Sequence, residues 1–220
     1  LDGGGRGRGV FGSGAYPTAT TIMDVIEIAT KGDAVDFGDD HIVRQENYSS
    51  FSSSTRGINA GGYNPAAFTD IHLFTFSSGG GMNDFGDLKT AVYASAGCGN
   101  NIRGLSGGGN GGSTFEAGIE FVTIASTGDA TDFGGDLTTL RRSGHSASSS
   151  TRGVFAGGFD NSDRVNTIDY MTIASTGTNA IDFGDLIQKG MDGSGYTVSS
   201  PTRGVFAGGD TPGAKVNLIQ

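Results

Sequence analysis

The chain has 220 residues, 41 of them glycine, only 35 % hydrophobic, with 14 Phe against 6 Tyr and no Trp. That composition predicts a core of modest depth with many tight turns, in which Phe carries much of the apolar burial. A net charge of -9 and a pI near 4.6 exclude a binder of nucleic-acid backbone, which needs a basic stripe, and acidity of this kind keeps a chain in solution. Cys98 is the single cysteine, so no internal disulfide can form, and the compartment stays open. No apolar run approaches the roughly 18 residues of a membrane helix. The opening LDGGGRGRGVFG has neither an initiator Met nor a signal-peptide pattern, which predicts a fragment or a processed chain.

In chain order, RGVFG from Arg8, VIEIAT from 25 and DFGD at 36–39 are the first predicted strands. The next period brings YSSFSSS at 48–54, TRGINAGG from 55, LFTF from 73 and DFGD at 84–87. A third has a small-residue strand near 92, RGLSGGG from 103, FVTIAS from 121 and DFGGD at 132–136. A fourth has SGHSASSS at 143–150, TRGVFAGG at 151–158, VNTIDYMTIAS at 165–175 and AIDFGDL at 180–186. A strand near 196, PTRGVFAGG at 201–209 and KVNLIQ at 215–220 begin a fifth.

Arg8, Arg56, Arg103, Arg152 and Arg203 stand 48, 47, 49 and 51 residues apart, and the DFG aspartates keep the same phase at 48, 48 and 50. Two motifs in one phase define a repeat of about 48 residues. Each period divides into a small polar strand a, a hydrophobic strand b ending in Gly-Gly, a strand c and a short strand d. In strand c, Ile168, Tyr170, Thr172 and Ala174 alternate with Asp169, Met171, Ile173 and Ser175, which is strand periodicity. No helical period runs for three turns. Four short strands per period match a blade of a β-propeller. The expected fold is therefore all-β, a single propeller domain over 1–220 with four to five blades. Its repeats run approximately over 8–55, 56–102, 103–151, 152–202 and a partial 203–220. The first repeat lacks strand a and the last lacks strand d. Four blades close if the strand near 196 completes the first, which leaves the last two strands surplus. Five close with two blades three-stranded, or the chain is a slice of a longer array.

The order of strands, with glycine pairs at Gly61-Gly62, Gly107-Gly108, Gly157-Gly158 and Gly208-Gly209, resembles the kelch repeat. The first copy departs with GSG at 12–14, and Phe37, Phe85, Phe133 and Phe183 stand where kelch repeats usually carry Trp. The wording TRGVFAGG with IDYMTIASTG resembles repeats in structural and tail-fibre-like proteins of phages. The resemblance implies a non-enzymatic structural or adhesive module of a virion or extracellular surface. Its partners would be other virion or surface-assembly subunits, identical copies included, or a cell-surface glycan. It implies no nucleic acid, no membrane insertion and no cofactor.

Several patterns invite chemistry. A ring of the repeated arginines would bind an anion. The plainer expectation is a structural pairing of Arg8, Arg56, Arg103, Arg152 and Arg203 with the recurring Asp39, Asp87, Asp136 and Asp185. DFGD matches the kinase metal-binding triplet but lacks the phosphate loop, Lys and catalytic loop that give it meaning. STGDATDFGGD at 126–136 lacks the terminal Glu and spacing of an EF-hand, so Asp129 and Asp132 read as turn formers. The glycine runs at 3–9 and 107–112 have no strand–loop–helix context and read as turns rather than phosphate cradles. His41, His72 and His145 occupy different phases, which argues against a zinc site, and no G-x-S-x-G elbow is present. No symmetry-breaking set suited to a sialidase or galactose-oxidase chemistry appears, so no catalytic or metal residue is assigned.

The b–c loops vary most between copies, and variable loops on a repeated scaffold carry binding. Tyr16, Tyr63, Asn64, Phe68, Phe115, Phe159, Asp160 and Asn161 are the candidate ligand or partner residues. Aromatic faces with Asn and Asp suit a sugar; the same residues also serve as solvated turns.

Overall fold

The computed structural model describes residues 7–14, 18–47, 49–189, 195–211, 214–215 and 217–219. Every named element is a strand. The first sheet has three strands, β1 (Arg8–Gly14), β2 (Thr20–Glu27) and β3 (Val35–Asp39). The second runs β4 (Ser50–Ser52), β5 (Arg56–Ala60), β6 (Asp70–Thr75), β7 (Asn83–Asp87). The third runs β8 (Ala96–Gly99), β9 (Arg103–Asn110), β10 (Phe115–Thr123), β11 (Thr131–Asp136). The fourth runs β12 (His145–Ser148), β13 (Arg152–Ala156), β14 (Thr167–Thr172), β15 (Ile181–Asp185). A two-stranded sheet, β16 (Gly195–Ser199) with β17 (Gly204–Gly208), and a small hairpin, β18 (Asp210–Thr211) with β19 (Ala214–Lys215), follow. The pairing is antiparallel throughout and follows chain order within each sheet.

Local chemistry ends each strand a earlier than the serine runs suggest. Three residues before Arg56, Arg103, Arg152 and Arg203, the side chains of Ser53, Asn100, Ser149 and Ser200 accept hydrogen bonds from the amide of that Arg and of the residue before it. A polar side chain that bonds its own backbone makes the turn. Strand c is also shorter than the 165–175 expected, because Ser175 N turns back onto the Thr172 carbonyl. The fifth strand c does not start at 215. Lys215 belongs to the small hairpin, and Ile219 is the residue that bridges Ala207 of β17.

The core consists of layers between sheets. Met23, Phe37, Phe74, Phe76 and Met82 fill the layer between the first and second sheets. Phe51, Ile58, Ile71, Phe85, Val122 and Ile124 fill the next. Leu105, Ile119, Phe133, Phe155, Met171 and Ile173 fill the third. Phe206 closes on Ala147, Ala156 and Leu186 in the fourth. Strand a of each sheet lies against strand a of the next, β4 on β8, β8 on β12 and β12 on β16.

The DFG motif is a β-bulge that builds these layers. Met23 pairs with Gly38 and Asp24 with Asp36, so Phe37 is left out of the ladder and turns into the layer. Phe37, Phe85 and Phe133 are 6, 3 and 0 % exposed there. The bulge glycines carry φ of +130°, +146° and +79° at Gly38, Gly86 and Gly134, and the next sheet's c–d turn packs on them. Gly80, Gly128 and Gly177 amides donate to the Phe37, Phe85 and Phe133 carbonyls at 2.8, 2.7 and 2.7 Å.

Candidate functional site on the loop face

The b–c loops and the d–a connections meet on one face. Gln45 bridges Tyr63, Tyr93 bridges Asn110 and Arg142 bridges Phe159, each pair joining a d–a connection to a b–c loop. Two aromatic groups result. The Tyr63 and Tyr93 rings are 5.0 Å apart, and the Tyr93 hydroxyl accepts from Asn110 Nδ2 at 2.7 Å. Phe115 of the third sheet and Phe159 of the fourth meet edge to face at 6.0 Å, with the Arg142 guanidinium 5.5 and 5.6 Å from the two rings. All six side chains are half-buried.

The other candidates do local work. Phe68 lies under the Arg44 guanidinium at 5.2 Å. Asp160 accepts from the Ser162 and Asp163 amides and from the Ser162 hydroxyl. Those bonds, the Asp163 amide first, hold its carboxyl below the usual range. Asn161 sits at φ +78°, a turn position, and Asn64 is exposed at the loop tip. Tyr16 lies outside the described residues. Tyr93, Asn110 and Arg142 escaped the sequence reading, although Gln45, Tyr93 and Arg142 are 48 and 49 residues apart and so share a phase.

The expected Arg–Asp pairing is corrected. Arg8, Arg56 and Arg103 Nη1 donate to the carbonyls of Phe76, Ile124 and Ile173, at the end of strand c in the following sheet. Arg103 and Arg152 also stack on Phe121 and Tyr170 of their own strand c. Asp39 and Asp87 instead accept from the Thr21 and Thr69 hydroxyls, at 3.0 and 2.8 Å. Fixed carbonyl acceptors suit a guanidinium, whose donors are arranged in a rigid fork. Asp136 and Asp185 are exposed at the ends of β11 and β15, and Arg203 is exposed just before β17.

A second polar device recurs with the period, buried at His72 and Asp169 and half-buried at Glu120. His72, Glu120 and Asp169 each sit three residues before the end of strand c, and each holds the d–a connection that leads into its own sheet. Asp169 accepts from Thr138 N at 3.2 Å and Thr138 Oγ1 at 2.6 Å, and pairs with Arg141 at 2.9 Å. Glu120 accepts from the Lys89 and Thr90 amides. His72 bonds Asp40, which also accepts from Arg44 Nε at 2.8 Å. Burial pulls the Arg44 and Arg141 guanidiniums below their usual value, opposed by Asp40 and Asp169. Burial would raise the Asp40 carboxyl, but the His72 hydrogen bond and the Arg44 charge outweigh it and hold it low. These groups touch side chains and backbone of the fold itself.

Asp129 Oδ1 accepts from the Asp87 amide at 3.1 Å and Asp132 Oδ1 from the Gly134 amide at 2.8 Å, so both carboxylates serve the backbone. Burial pushes the Cys98 thiol up to about 12, which removes its reactivity at neutral pH. No protein-family model matches the chain, and no curated protein matches it.

Proposed function

We propose that the chain is a kelch-like β-propeller serving as a non-enzymatic structural or adhesive module, a component of a phage virion or tail fibre. The observation that supports this most is the repetition of one contact set between successive sheets. The Arg-to-carbonyl bond, the bulge Phe and the turn-to-bulge amide bond recur from sheet to sheet at the period of the sequence repeat. Such an array is a stiff scaffold whose loops are free to vary. The polar groups that repeat are engaged with the fold, which favours display over catalysis. Antibody raised against the chain, used for immunogold electron microscopy of purified virions, tests the setting; labelled fibres or capsids are expected, and unlabelled virions overturn it.

The Phe115–Arg142–Phe159 group favours one second reading, a loop face that binds a cell-surface glycan by stacking. A glycan array probed with the wild-type chain and with Arg142→Ala tests it. Selective binding lost in the variant is the expected result, and no binding by the wild type overturns it.

A further inference from the structure

We propose that the third sheet binds a small hard cation, calcium by its chemistry, beside Glu120, at the place that an arginine guanidinium takes in the second and fourth sheets. Three copies of one position in the d–a connections carry it. Arg44, Val92 and Arg141 stand 48 and 49 residues apart, and each connection leads into the sheet that its residue packs on.

In the second sheet Arg44 Nη1 donates to the carbonyls of Gly61 and Asp70, the latter at 2.9 Å, and Nε donates to Asp40 at 2.8 Å. In the fourth sheet Arg141 Nη2 donates to the Phe155 carbonyl at 3.2 Å and lies 2.9 Å from the Asp169 carboxylate. Both arginines are almost fully buried. Val92 is buried as well, but it brings no donor and no charge.

The acceptors of the guanidinium nevertheless recur in the third sheet. Gly108 is the counterpart of Gly61, with φ of +66° against +67°. Gly118 pairs with Asp136 as Asp70 pairs with Asp87, and Ser106 pairs with Gly97 as Phe155 pairs with Ser146. These three residues line a cavity of about 30 Å³ together with Val92 and Glu120. That is room for one or two water-sized bodies. Thr90 and Gly118 in its wall are exposed, which opens it to solvent. Glu120, the counterpart of Asp169, accepts from the Lys89 and Thr90 amides at 2.7 and 3.0 Å, and among the described residues no cationic side chain pairs with it. A carboxylate drawn partly out of water favours a counter-charge over neutral donors alone, and a chain of net charge -9 adds to that potential. Oxygen donors select a hard cation. Calcium accepts carboxylate, carbonyl and water oxygens in flexible numbers, whereas magnesium demands a regular octahedron. With one acidic side chain, carbonyls and water make up the rest of the shell, and the affinity falls in the weak range, a Kd of about 0.1–1 mM.

The test is isothermal titration of calcium chloride, at fixed ionic strength, into the metal-free full chain and into Val92→Arg and Glu120→Gln. Val92→Arg supplies the guanidinium of the neighbouring sheets, and Glu120→Gln removes the charge while keeping an acceptor for an amide. One calcium site in the wild type, lost in both variants, is expected. Thermal unfolding is the second readout, since an ion that binds only the folded chain raises its midpoint. Calcium is expected to raise the wild-type midpoint more than magnesium at the same concentration, and to leave Val92→Arg unmoved at a midpoint no lower than that of the calcium-loaded wild type. No calcium site in the wild type overturns the proposal in favour of water. A site that survives in the variants places the ion elsewhere and overturns it too, and an equal response to magnesium overturns the assignment to calcium. Should Val92→Arg fail to fold, Glu120→Gln decides alone. Each of these results leaves the display and glycan readings as they stand, since Val92 and Glu120 lie outside the aromatic groups of the loop face.

Discussion

Arg56 Nη1 donates to the Ile124 carbonyl at 2.9 Å, joining the first residue of strand b in the second sheet to the end of strand c in the third. Arg103 makes the same bond to Ile173 at 3.1 Å. A hydrogen bond from a charged donor contributes about 1.5–3 kcal/mol. Arg56→Ala and Arg103→Ala are each expected to lower stability by about that amount, read as a shift of the urea midpoint with unchanged slope. A shift near zero for both would show that the bonds are incidental.

Asp169 is fully buried and faces Arg141. Asp169→Ala leaves that guanidinium charged and unpaired, and the cost of breaking a buried pair in this way is about 3–5 kcal/mol. The double variant Asp169→Leu/Arg141→Met is expected to recover much of the loss, because both charges go together. Thermal unfolding of the three proteins decides it; a double variant no better than the single one would rule out the unpaired charge as the cause.

Acid should act through Asp40. Its carboxyl titrates lower in the folded chain than in the unfolded one, where the value is about 3.9. The stabilisation is therefore complete above that value and is lost as pH falls through the lowered one. Unfolding free energy measured from pH 7 down to about 3 is expected to fall below about pH 4 in the wild type, and less steeply in Asp40→Asn. Equal slopes in the two proteins would remove Asp40 from the acid response.

Gly86 and Gly184 hold the same bulge position at φ +146° and +134°. A Cβ on Gly86 would lie 2.6 Å from the Gly128 carbonyl oxygen, while one on Gly184 meets nothing within 4 Å. Gly184→Ala thus carries backbone strain alone, of order 1 kcal/mol. Gly86→Ala adds a collision with the third sheet and is expected to cost clearly more. Equal losses in chemical denaturation would mean that the sheets shift freely past one another.

The repeat itself was legible because every copy must rebuild the same layer, so its Arg, Gly and Phe return in phase. Strand periodicity was legible for the same reason as in any half-buried sheet, as the alternation through Tyr170 and Thr172 shows. Partners were not legible. Arg56 and Ile124 are 68 residues apart, and a carbonyl acceptor leaves no mark in a sequence, so the recurring aspartates looked like the natural counter-charges. The loop face was half legible: Phe115 and Phe159 stood out as aromatic insertions, but Arg142 lies in a d–a connection and joins them only through sheet-to-sheet packing. The sequence alone determined an all-β repeat of about 48 residues with a DFG motif in four of its copies. Only the tertiary structure decided which sheet each side chain reaches, because a core made of layers between sheets draws every contact from residues distant in the chain.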